Sequence, residues 1–170
     1  MNSEARRNVI DERLSVSKKP IKGSALAVEF GVTRQVIVKD IAILRAKGES
    51  IIATPEGYMK AGDQKHLYRK VIATCHKSDE IEDELGTIVK FGGIIEDVVV
   101  EHPLYGEIKG MLMIKTLYDV QNFVQKIKEY KAEPLMVLTG GVHLHTVAAE
   151  NFEIIEKIEQ ELKNKKYLIT

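Results

Sequence analysis

The sequence has no tryptophan and only one cysteine, Cys75, among its 170 residues. A single cysteine cannot form an internal disulfide, which excludes a disulfide-stapled scaffold and suits the reducing cytoplasm. The same shortage excludes a zinc ribbon built from thiolates. No apolar run approaches the roughly 18 residues that span a membrane, and the charged N-terminus lacks the apolar segment of a secretion signal. We therefore expect a soluble cytoplasmic protein with no membrane partner.

The sequence also has no net charge, because 25 Lys and Arg balance 25 Asp and Glu. This balance conceals an asymmetry between two parts of the chain. Residues 1–62 carry 11 Lys and Arg against 7 Asp and Glu, whereas residues 63–170 carry 14 against 18. We therefore predict two modules with this boundary, of which the basic first module is suited to a polyanionic partner.

The first module has the pattern of three helices followed by a β-hairpin. Helices are predicted at residues 2–16, 24–30 and 33–47, and the hairpin at residues 51–59. Ser24 and Thr33 are the predicted N-caps of the second and third helices. Gly31 predicts a tight turn between them, because glycine readily adopts the left-handed conformation. This order of elements is typical of a winged helix-turn-helix, which binds DNA.

The N-terminal residues of a recognition helix face the base edges in the major groove of DNA. In this chain those residues are Thr33, Arg34 and Gln35. Arg34 is suited to guanine and Gln35 to adenine, whereas Lys22 and Lys39 are suited to phosphates. The alternative is a helical hairpin whose basic side chains contact only water. The turn glycine, the Thr-Arg-Gln start and the following hairpin together favour a double-stranded DNA operator as partner.

The second module alternates strands with helices. Strands are predicted at residues 67–74, 94–101, 107–114 and 142–147, helices at residues 78–91, 119–131 and 151–163, and a short edge strand at residues 167–169. Ser78 is the predicted N-cap of the first of these helices. The β-α-β-β-α-β order predicts an α+β fold of the ferredoxin-like, split β-α-β type, in which helices cover one face of an antiparallel sheet.

Histidines stand near the ends of two predicted strands in this module. His143 and His145 lie two residues apart, so their side chains share one face of the strand at a spacing that suits two imidazoles on one cation. His76 directly follows the first strand, and Glu84 lies on the next helix. From spacing alone, a metal site and ordinary core or surface histidines are equally compatible with the pair.

Residues 26–48, LAVEFGVTRQVIVKDIAILRAKG, resemble the winged helix of bacterial biotin-operon-repressor-like regulators. With its continuation, the chain resembles the niacin-responsive transcriptional repressors, which carry a three-histidine domain after the winged helix. This resemblance implies a metal site formed by His76, Glu84, His143 and His145. A three-histidine, one-carboxylate set suits zinc, nickel, cobalt or ferrous iron, and of these we expect zinc or nickel.

Neighbouring residues leave alternatives open for the carboxylate of this site. Glu80 lies one helical turn before Glu84, and Asp83 is adjacent to it, so spacing does not separate the three acids. Cys75 precedes His76 on the strand, and we expect its side chain to be buried on the opposite face.

The predicted turn after the second strand carries another histidine, His102, in the run Glu101-His102-Pro103-Leu104-Tyr105-Gly106. From the residues alone, a turn histidine held by Pro103 is the simpler interpretation. The resemblance favours His102 as an effector-binding residue, with Tyr105 as its stacking partner. It also implies nicotinic acid as co-repressor, and a homodimer on a palindromic operator of niacin and NAD genes.

A small metalloenzyme fused to an interaction domain is the rival class, because metal-bound water is a nucleophile. No nucleophile or general-base motif and no Gly-rich phosphate loop accompanies the histidines. We therefore predict a regulator and not an enzyme. A metal-responsive repressor, in which the metal itself is the signal, is the alternative within the class of regulators.

Overall fold

A computed structural model describes residues 2–61 and 66–170. The chain forms two compact units, Met1–Asp63 and Gln64–Thr170, and each contains its own apolar core. The predicted boundary after Gly62 falls outside the described residues. The architecture is α+β, as the order of elements predicts. None of the helices within the described residues combines the length and apolarity that crossing a bilayer requires.

The N-terminal unit contains the three helices and the hairpin that the sequence predicts. Its elements are α1 (Ser3–Val16), α2 (Gly23–Phe30), α3 (Arg34–Ala46), β1 (Ile51–Thr54) and β2 (Gly57–Lys60). Gly31 has a φ of 62° and ends α2 in the left-handed conformation, as predicted. The Thr33 hydroxyl accepts a hydrogen bond from the Val36 amide and caps α3, also as predicted.

The predicted N-cap Ser24 is wrong, because α2 begins one residue earlier and has Lys22 as its cap residue. The cause is a long-range contact just before the helix. Ile21 and Tyr58 exchange two backbone hydrogen bonds of 2.8 and 2.9 Å, which fix the extended conformation up to residue 21. The helix therefore starts as soon as this bridge ends.

Apolar side chains at helical spacing on α3 form the centre of the first core. Ile37, Ile41 and Leu44 are buried at positions i, i+4 and i+7, as the sequence pattern predicts. They pack with Leu14 of α1 and Leu26 of α2. Burying each such side chain contributes about 1.5–3 kcal/mol. This core fixes α2 and α3 on either side of the glycine turn.

The C-terminal unit follows the predicted alternation of strands and helices. Its elements are β3 (Tyr68–Cys75), α4 (Ile81–Lys90), β4 (Ile94–His102), β5 (Gly106–Ile114), α5 (Leu117–Tyr130), β6 (Val142–Ala149) and α6 (Phe152–Asn164). The predicted cap Ser78 is wrong, since residues 78–80 form a 3-10 turn that the Glu80 carboxylate closes on the Lys77 amide. The predicted short edge strand at residues 167–169 does lie beside the edge strand β3, but it is reduced to the antiparallel pairing of Leu168 with Thr74. After a left-handed Lys166, that segment makes one isolated bridge to β3.

The four strands form one antiparallel sheet in the order β3-β6-β4-β5. The last strand in the chain, β6, lies between β3 and β4, which α4 connects, so this β-α-β unit is split as predicted. In the ferredoxin-like order the third strand of the domain, here β5, would occupy that position, so the observed strand order differs from the predicted one. The apolar core lies between the sheet and the helices, with Ile72, Ile95 and Val147 facing Ile88 and Ile158. His145 is opposite Ile72 on the neighbouring strand and therefore shares this helix-covered face.

Candidate metal centre and nucleic-acid interface

Glu84 is a charged side chain that is completely buried, with 0% of its surface exposed. It lies on the inner side of α4, where the neighbouring Leu85 and Ile88 anchor the helix in the core. Its Oε2 atom lies near the Nε2 atoms of three imidazoles, those of His76, His143 and His145, at 2.7, 3.3 and 3.5 Å respectively. The structure therefore brings together the four residues of the predicted metal site.

The pairing of β3 with β6 determines where the three imidazoles lie. Thr74 is opposite His143 in the register, so His76, two residues beyond Thr74, lies beside the start of β6. The ring centroids of His76 and His143 are 4.9 Å apart, and those of His143 and His145 are 4.8 Å apart. Both of these ring pairs meet edge to face, which directs the Nε2 atoms toward α4.

Each imidazole is held at its other nitrogen by a backbone carbonyl oxygen. The three acceptors are the carbonyl oxygens of Lys77, Gly141 and Asp97, at 2.8, 2.9 and 2.6 Å from Nδ1 of His76, His143 and His145 respectively. A carbonyl oxygen can only accept, so each Nδ1 carries its hydrogen and donates it. Nε2 is then the nitrogen left to bind Glu84 or a cation, which is the arrangement that metal-ligating histidines show.

The electrostatics of this cluster follow from its burial and mutual proximity. Burial alone would raise the pKa of Glu84, but the charge of His145 and the hydrogen bonds from the His143 and His76 imidazoles hold that pKa well below its usual value. Burial alone would lower the pKa values of His76 and His145, yet the Glu84 carboxylate raises both. Without a cation, the cluster thus favours an ionised Glu84 carboxylate beside protonated His76 and His145.

The donor atoms of the cluster fit a divalent cation. Those of His76, Glu84 and His143 all lie within 4.8 Å of one another, and His145 adjoins this group through Glu84. Zinc bonds of 2.0–2.1 Å in a tetrahedron separate the ligand atoms by about 3.3 Å, close to the distances in this cluster. Two buried atoms of the cluster, Glu84 Oε1 and His145 Nε2, have no hydrogen-bond partner within residues 2–61 and 66–170. Such orphaned groups are costly, and a cation would satisfy both.

The two rival carboxylates make other contacts. Glu80 accepts from the Lys77 amide at 2.8 Å, and Asp83 contacts Lys165 Nζ at 2.7 Å. Asp83 also accepts from the Tyr167 hydroxyl at 2.9 Å. The geometry thus separates Glu84 from its neighbours, which the spacing could not do. The buried position expected for Cys75 is wrong, because this thiol lies half-buried at the edge strand β3.

Three residues beside the cluster have no signal in the sequence pattern or only a weak one. The Thr74 hydroxyl oxygen is 3.1 Å from His143 Nε2, and the Tyr167 ring centroid is 5.1 Å from that of His76. Gly141 has a φ of 99°, and a Cβ there would lie 2.5 Å from the His76 carbonyl oxygen. Only glycine fits this close approach. The Gly-Gly pair before the His-x-His motif is the one signal for it in the sequence.

The predicted effector residues lie together at the turn between β4 and β5. The ring centroids of His102 and Tyr105 are 5.2 Å apart, and His102 Nδ1 accepts from the Leu104 and Tyr105 amides at 3.1 and 3.4 Å. Tyr105 is 73% exposed. Val99 pairs with Leu144, so the end of β4 at His102 lies on the side of the sheet where β6 begins. All three of these His102 contacts lie within its own turn.

A separate cleft of about 500 Å³ lies between α4 and α5. Three acidic residues, Asp79, Glu82 and Asp83, and one base, Lys90, contribute to its lining. This mostly acidic surface disfavours a carboxylate ligand. The cleft is therefore unsuited to nicotinic acid, and neither of the predicted effector residues belongs to it.

The predicted DNA-contacting residues form an exposed polar surface on the helix-turn-helix. Thr33, Arg34, Gln35 and Lys39 of α3 and its cap, and Lys22 before α2, are all exposed. Arg45, further along α3, donates from Nε to the Ile51 carbonyl oxygen at 2.7 Å and so ties the helix to the hairpin. The start of α3 thus presents side chains suited to base edges, whereas Arg45 near its end makes a structural contact with the hairpin.

This combination, a helix-turn-helix followed by a unit with a buried histidine–carboxylate cluster, defines a DNA-binding regulator. Comparison with protein families supports both halves, since residues 6–59 match the HTH domain and residues 69–170 match the 3H domain. The chain therefore belongs to the 3H-domain family of transcription repressors exemplified by NiaR and NadR. The predicted family, the winged helix and the prediction of a regulator and not an enzyme are confirmed.

Two transcription repressors are similar in sequence to this protein along most of its length. It is 48% identical over 156 residues to the probable transcription repressor NiaR of Thermotoga maritima, which covers 92% of this chain and 89% of that protein. It is 41% identical over 159 residues to the transcription repressor NadR of Bacillus subtilis, covering 92% and 88% respectively. An uncharacterized protein of Methanothermus fervidus is 36% identical over 105 residues, which are 58% of this chain and 16% of that protein.

Proposed function

We propose that this protein is a cytoplasmic, homodimeric repressor of genes for niacin and NAD metabolism, with nicotinic acid as co-repressor and one divalent metal ion in each chain. The observation that carries the proposal is the convergence of three imidazole Nε2 atoms on the buried Glu84, with each Nδ1 committed to a backbone carbonyl. The name of the Bacillus relative, NadR, supports the assignment to NAD metabolism.

The N-terminal unit would bind the operator through the start of α3. Arg34 and Gln35 are exposed there and have the donors and acceptors that read guanine and adenine in the major groove. Lys22 and Lys39 are exposed beside them and would contact phosphates, with Thr33 holding the helix start in register. A two-fold dimer would place two such helices on half-sites one helical turn, or a multiple, apart.

The metal would be held by His76, Glu84, His143 and His145. The donor set is three neutral nitrogens and one carboxylate, which suits zinc or nickel. A divalent cation there supplies positive charge that stabilises the buried Glu84 and an electrophile for a pyridine nitrogen or a carboxylate. The chain itself contributes the fixed tautomers, the dry surroundings and the alignment of β3, α4 and β6.

The effector would contact His102 and Tyr105. Their rings lie against each other at an exposed turn, and an aromatic acid such as nicotinic acid can stack on the exposed Tyr105 ring. The ligand can favour DNA binding only by binding more tightly to the dimer state whose recognition helices match the operator.

The sheet face opposite the histidines supports self-association. Val71 of β3 and Val142 of β6 alternate with the inward residues Ile72 and His143, and they are 59% and 44% exposed. Exposed apolar patches on sheets mark protein contacts. We expect the double variant V71E/V142E to shift the protein from dimer to monomer in sedimentation. Val16→Glu, at a valine that is 75% exposed in the other unit, is the matched control.

The test of the proposed function is an operator titration in four conditions, with metal present or chelated and with nicotinic acid present or absent, at one salt concentration. We expect tight binding only with both ligands and no response to the uncharged nicotinamide. His102→Ala should remove the response to nicotinic acid, whereas His66→Ala, at an exposed histidine, should not. Unchanged affinity on adding nicotinic acid would overturn the effector, and full control by chelation alone would favour a metal-responsive repressor.

A further inference from the structure

Strand β4 is irregular where it passes the metal ligands on β6. Ile95 pairs with Val147 and Val99 pairs with Leu144, so three residues of β4 lie opposite two residues of β6. This is a β-bulge, which leaves backbone groups without their usual ladder partners and redirects nearby side chains. The two residues of β6 in this gap are His145 and Thr146.

Asp97 lies at the centre of the bulge and binds both residues in the gap. Its Oδ1 atom accepts a hydrogen bond from the Thr146 amide at 2.9 Å, and its backbone carbonyl accepts from His145 Nδ1 at 2.6 Å. The carboxylate is buried, with Asp97 only 1% exposed, and its charge is balanced by Lys109 Nζ at 2.7 Å from Oδ2. The Asp97 side chain therefore replaces a missing ladder bond beside a ligand histidine.

Of the three imidazoles, that of His145 depends most on the hydrogen bond that its Nδ1 donates to a backbone carbonyl, here the carbonyl of Asp97. His76 Nε2 is 2.7 Å from Glu84, and His143 Nε2 has the Thr74 hydroxyl at 3.1 Å. His145 Nε2 is 3.5 Å from Glu84 and has no hydrogen-bond partner among the residues that the structure describes, where the ring is held by hydrogen bonding only at Nδ1. Any displacement of the Asp97 carbonyl changes the direction of His145 Nε2.

We propose that Asp97 is the positioning residue of the metal centre: its carboxylate clamps the Thr146 amide, which holds the bulge so that the Asp97 carbonyl fixes the ring of His145. The inference rests on the proposed metal site. It assigns to the carboxylate a role different from that of an ordinary sheet ion pair, because the consequence is the orientation of a ligand and not only the strength of the sheet.

The experiment measures Zn²⁺ affinity by competition with a chelating dye and the visible spectrum of the Co²⁺ protein at saturation. Asp97→Ala removes the acceptor for the Thr146 amide, and we expect a loss in affinity of about 10–100-fold with an altered Co²⁺ spectrum. Asp97→Asn retains an amide oxygen at the same position and should recover most of the affinity and the spectrum. Val98→Ala, on the same strand and packed against the core, is the control for a merely weakened sheet.

The outcomes separate this inference from the proposed metal centre. Metal binding by the unsubstituted protein, with the same affinity and spectrum in Asp97→Ala, would overturn the positioning role alone. Equal losses in Asp97→Ala and Val98→Ala, without recovery in Asp97→Asn, would also overturn it, because the effect would then be structural. Absence of Zn²⁺ and Co²⁺ binding in the folded, unsubstituted protein would overturn the metal centre and the inference together.

Discussion

The two units differ in where the polar groups of their candidate sites lie, because the first unit exposes them and the second buries them in its core. In the N-terminal unit, Arg34 and Gln35 are exposed, while the same helix buries Ile37 and Ile41. In the C-terminal unit, Glu84 and its histidines lie inside, on the helix-covered face of the sheet. DNA affinity should therefore be separable from folding stability, whereas metal affinity should be coupled to it. Substitutions in each unit test this contrast.

The largest effect is expected for Glu84→Gln, which keeps the size of the side chain and removes its charge. Substituting a residue that only holds a metal ligand in place costs roughly 10–100-fold in metal affinity. The fall for Glu84→Gln should be larger, because Glu84 is itself a proposed ligand. Asp83→Asn is the control, because that carboxylate contacts Lys165 and Tyr167 instead. Competition titration with a chelator measures both variants, and equal affinities would show that the buried carboxylate is not a ligand.

Arg34→Ala should cost about 1–3 kcal/mol of operator affinity if the side chain reads a base. Because Arg34 is exposed, the free energy of unfolding should change by less than about 0.5 kcal/mol. Arg13→Ala, on α1 in an exposed pair with Glu29, is the control for general loss of positive charge. Fluorescence anisotropy with operator DNA and urea unfolding measure the two quantities, and equal operator losses in both variants would argue against base reading.

The metal-free C-terminal unit should lose stability as pH rises above neutrality. The raised pKa values of His76 and His145 contribute stability that is fully present below the unfolded value of 6.5 and is lost as pH rises through the folded values. The lowered pKa of Glu84 contributes stability present above 4.5 and lost as pH falls through its folded value. Each proton released then costs up to about 1.4 kcal/mol per pH unit.

Maximum stability without metal is therefore expected between pH 4.5 and 6.5, while metal affinity should rise with pH because the cation competes with protons. Urea unfolding from below pH 4.5 to well above neutrality, with chelator and with saturating Zn²⁺, measures the two slopes. Glu84→Gln should flatten the metal-free profile above neutral pH. Parallel slopes with and without Zn²⁺ would contradict the assignment of these groups as ligands.

The smallest effect is expected for Thr33→Ala, which removes the N-cap of α3. Loss of such a cap costs about 0.5–2 kcal/mol, and the 3.4 Å bond to the Val36 amide points to the lower end. Thr33→Ser retains the hydroxyl and should retain the stability. Thermal unfolding measures both variants, and an operator loss beyond the stability effect would indicate a direct DNA contact by Thr33.

Most of the N-terminal unit could be predicted from the sequence, because its signals are local. The spacing of Ile37, Ile41 and Leu44 indicates the buried face of α3, and Gly31 and Thr33 indicate the turn and the cap. The start of α2 could not be predicted, since it is determined by the pairing of Ile21 with Tyr58, 37 residues away in the chain.

Only part of the candidate site in the C-terminal unit could be predicted from the sequence. The His-x-His motif shows two side chains on one face, but choosing Glu84 over Glu80 required the family resemblance and then the geometry. Asp97, Thr74 and Tyr167 were missed because their roles come from strand pairing and bulge formation between distant segments. The two adjacent acids in the strand pattern Ile94-Ile95-Glu96-Asp97-Val98 do not reveal which of them will bind a backbone amide.

The central position of β6 has a consequence for how the C-terminal unit forms during synthesis. β6 joins β3 to β4, so the sheet is incomplete until the ribosome has released the chain past Ala149. Glu84 and His143 are 59 residues apart, and closing that loop carries an entropic cost before any contact is gained. The helix-turn-helix, whose contacts are mostly local, should emerge folded well before. During synthesis the helix-turn-helix is therefore expected to fold first and the histidine–carboxylate cluster of the C-terminal unit to assemble last.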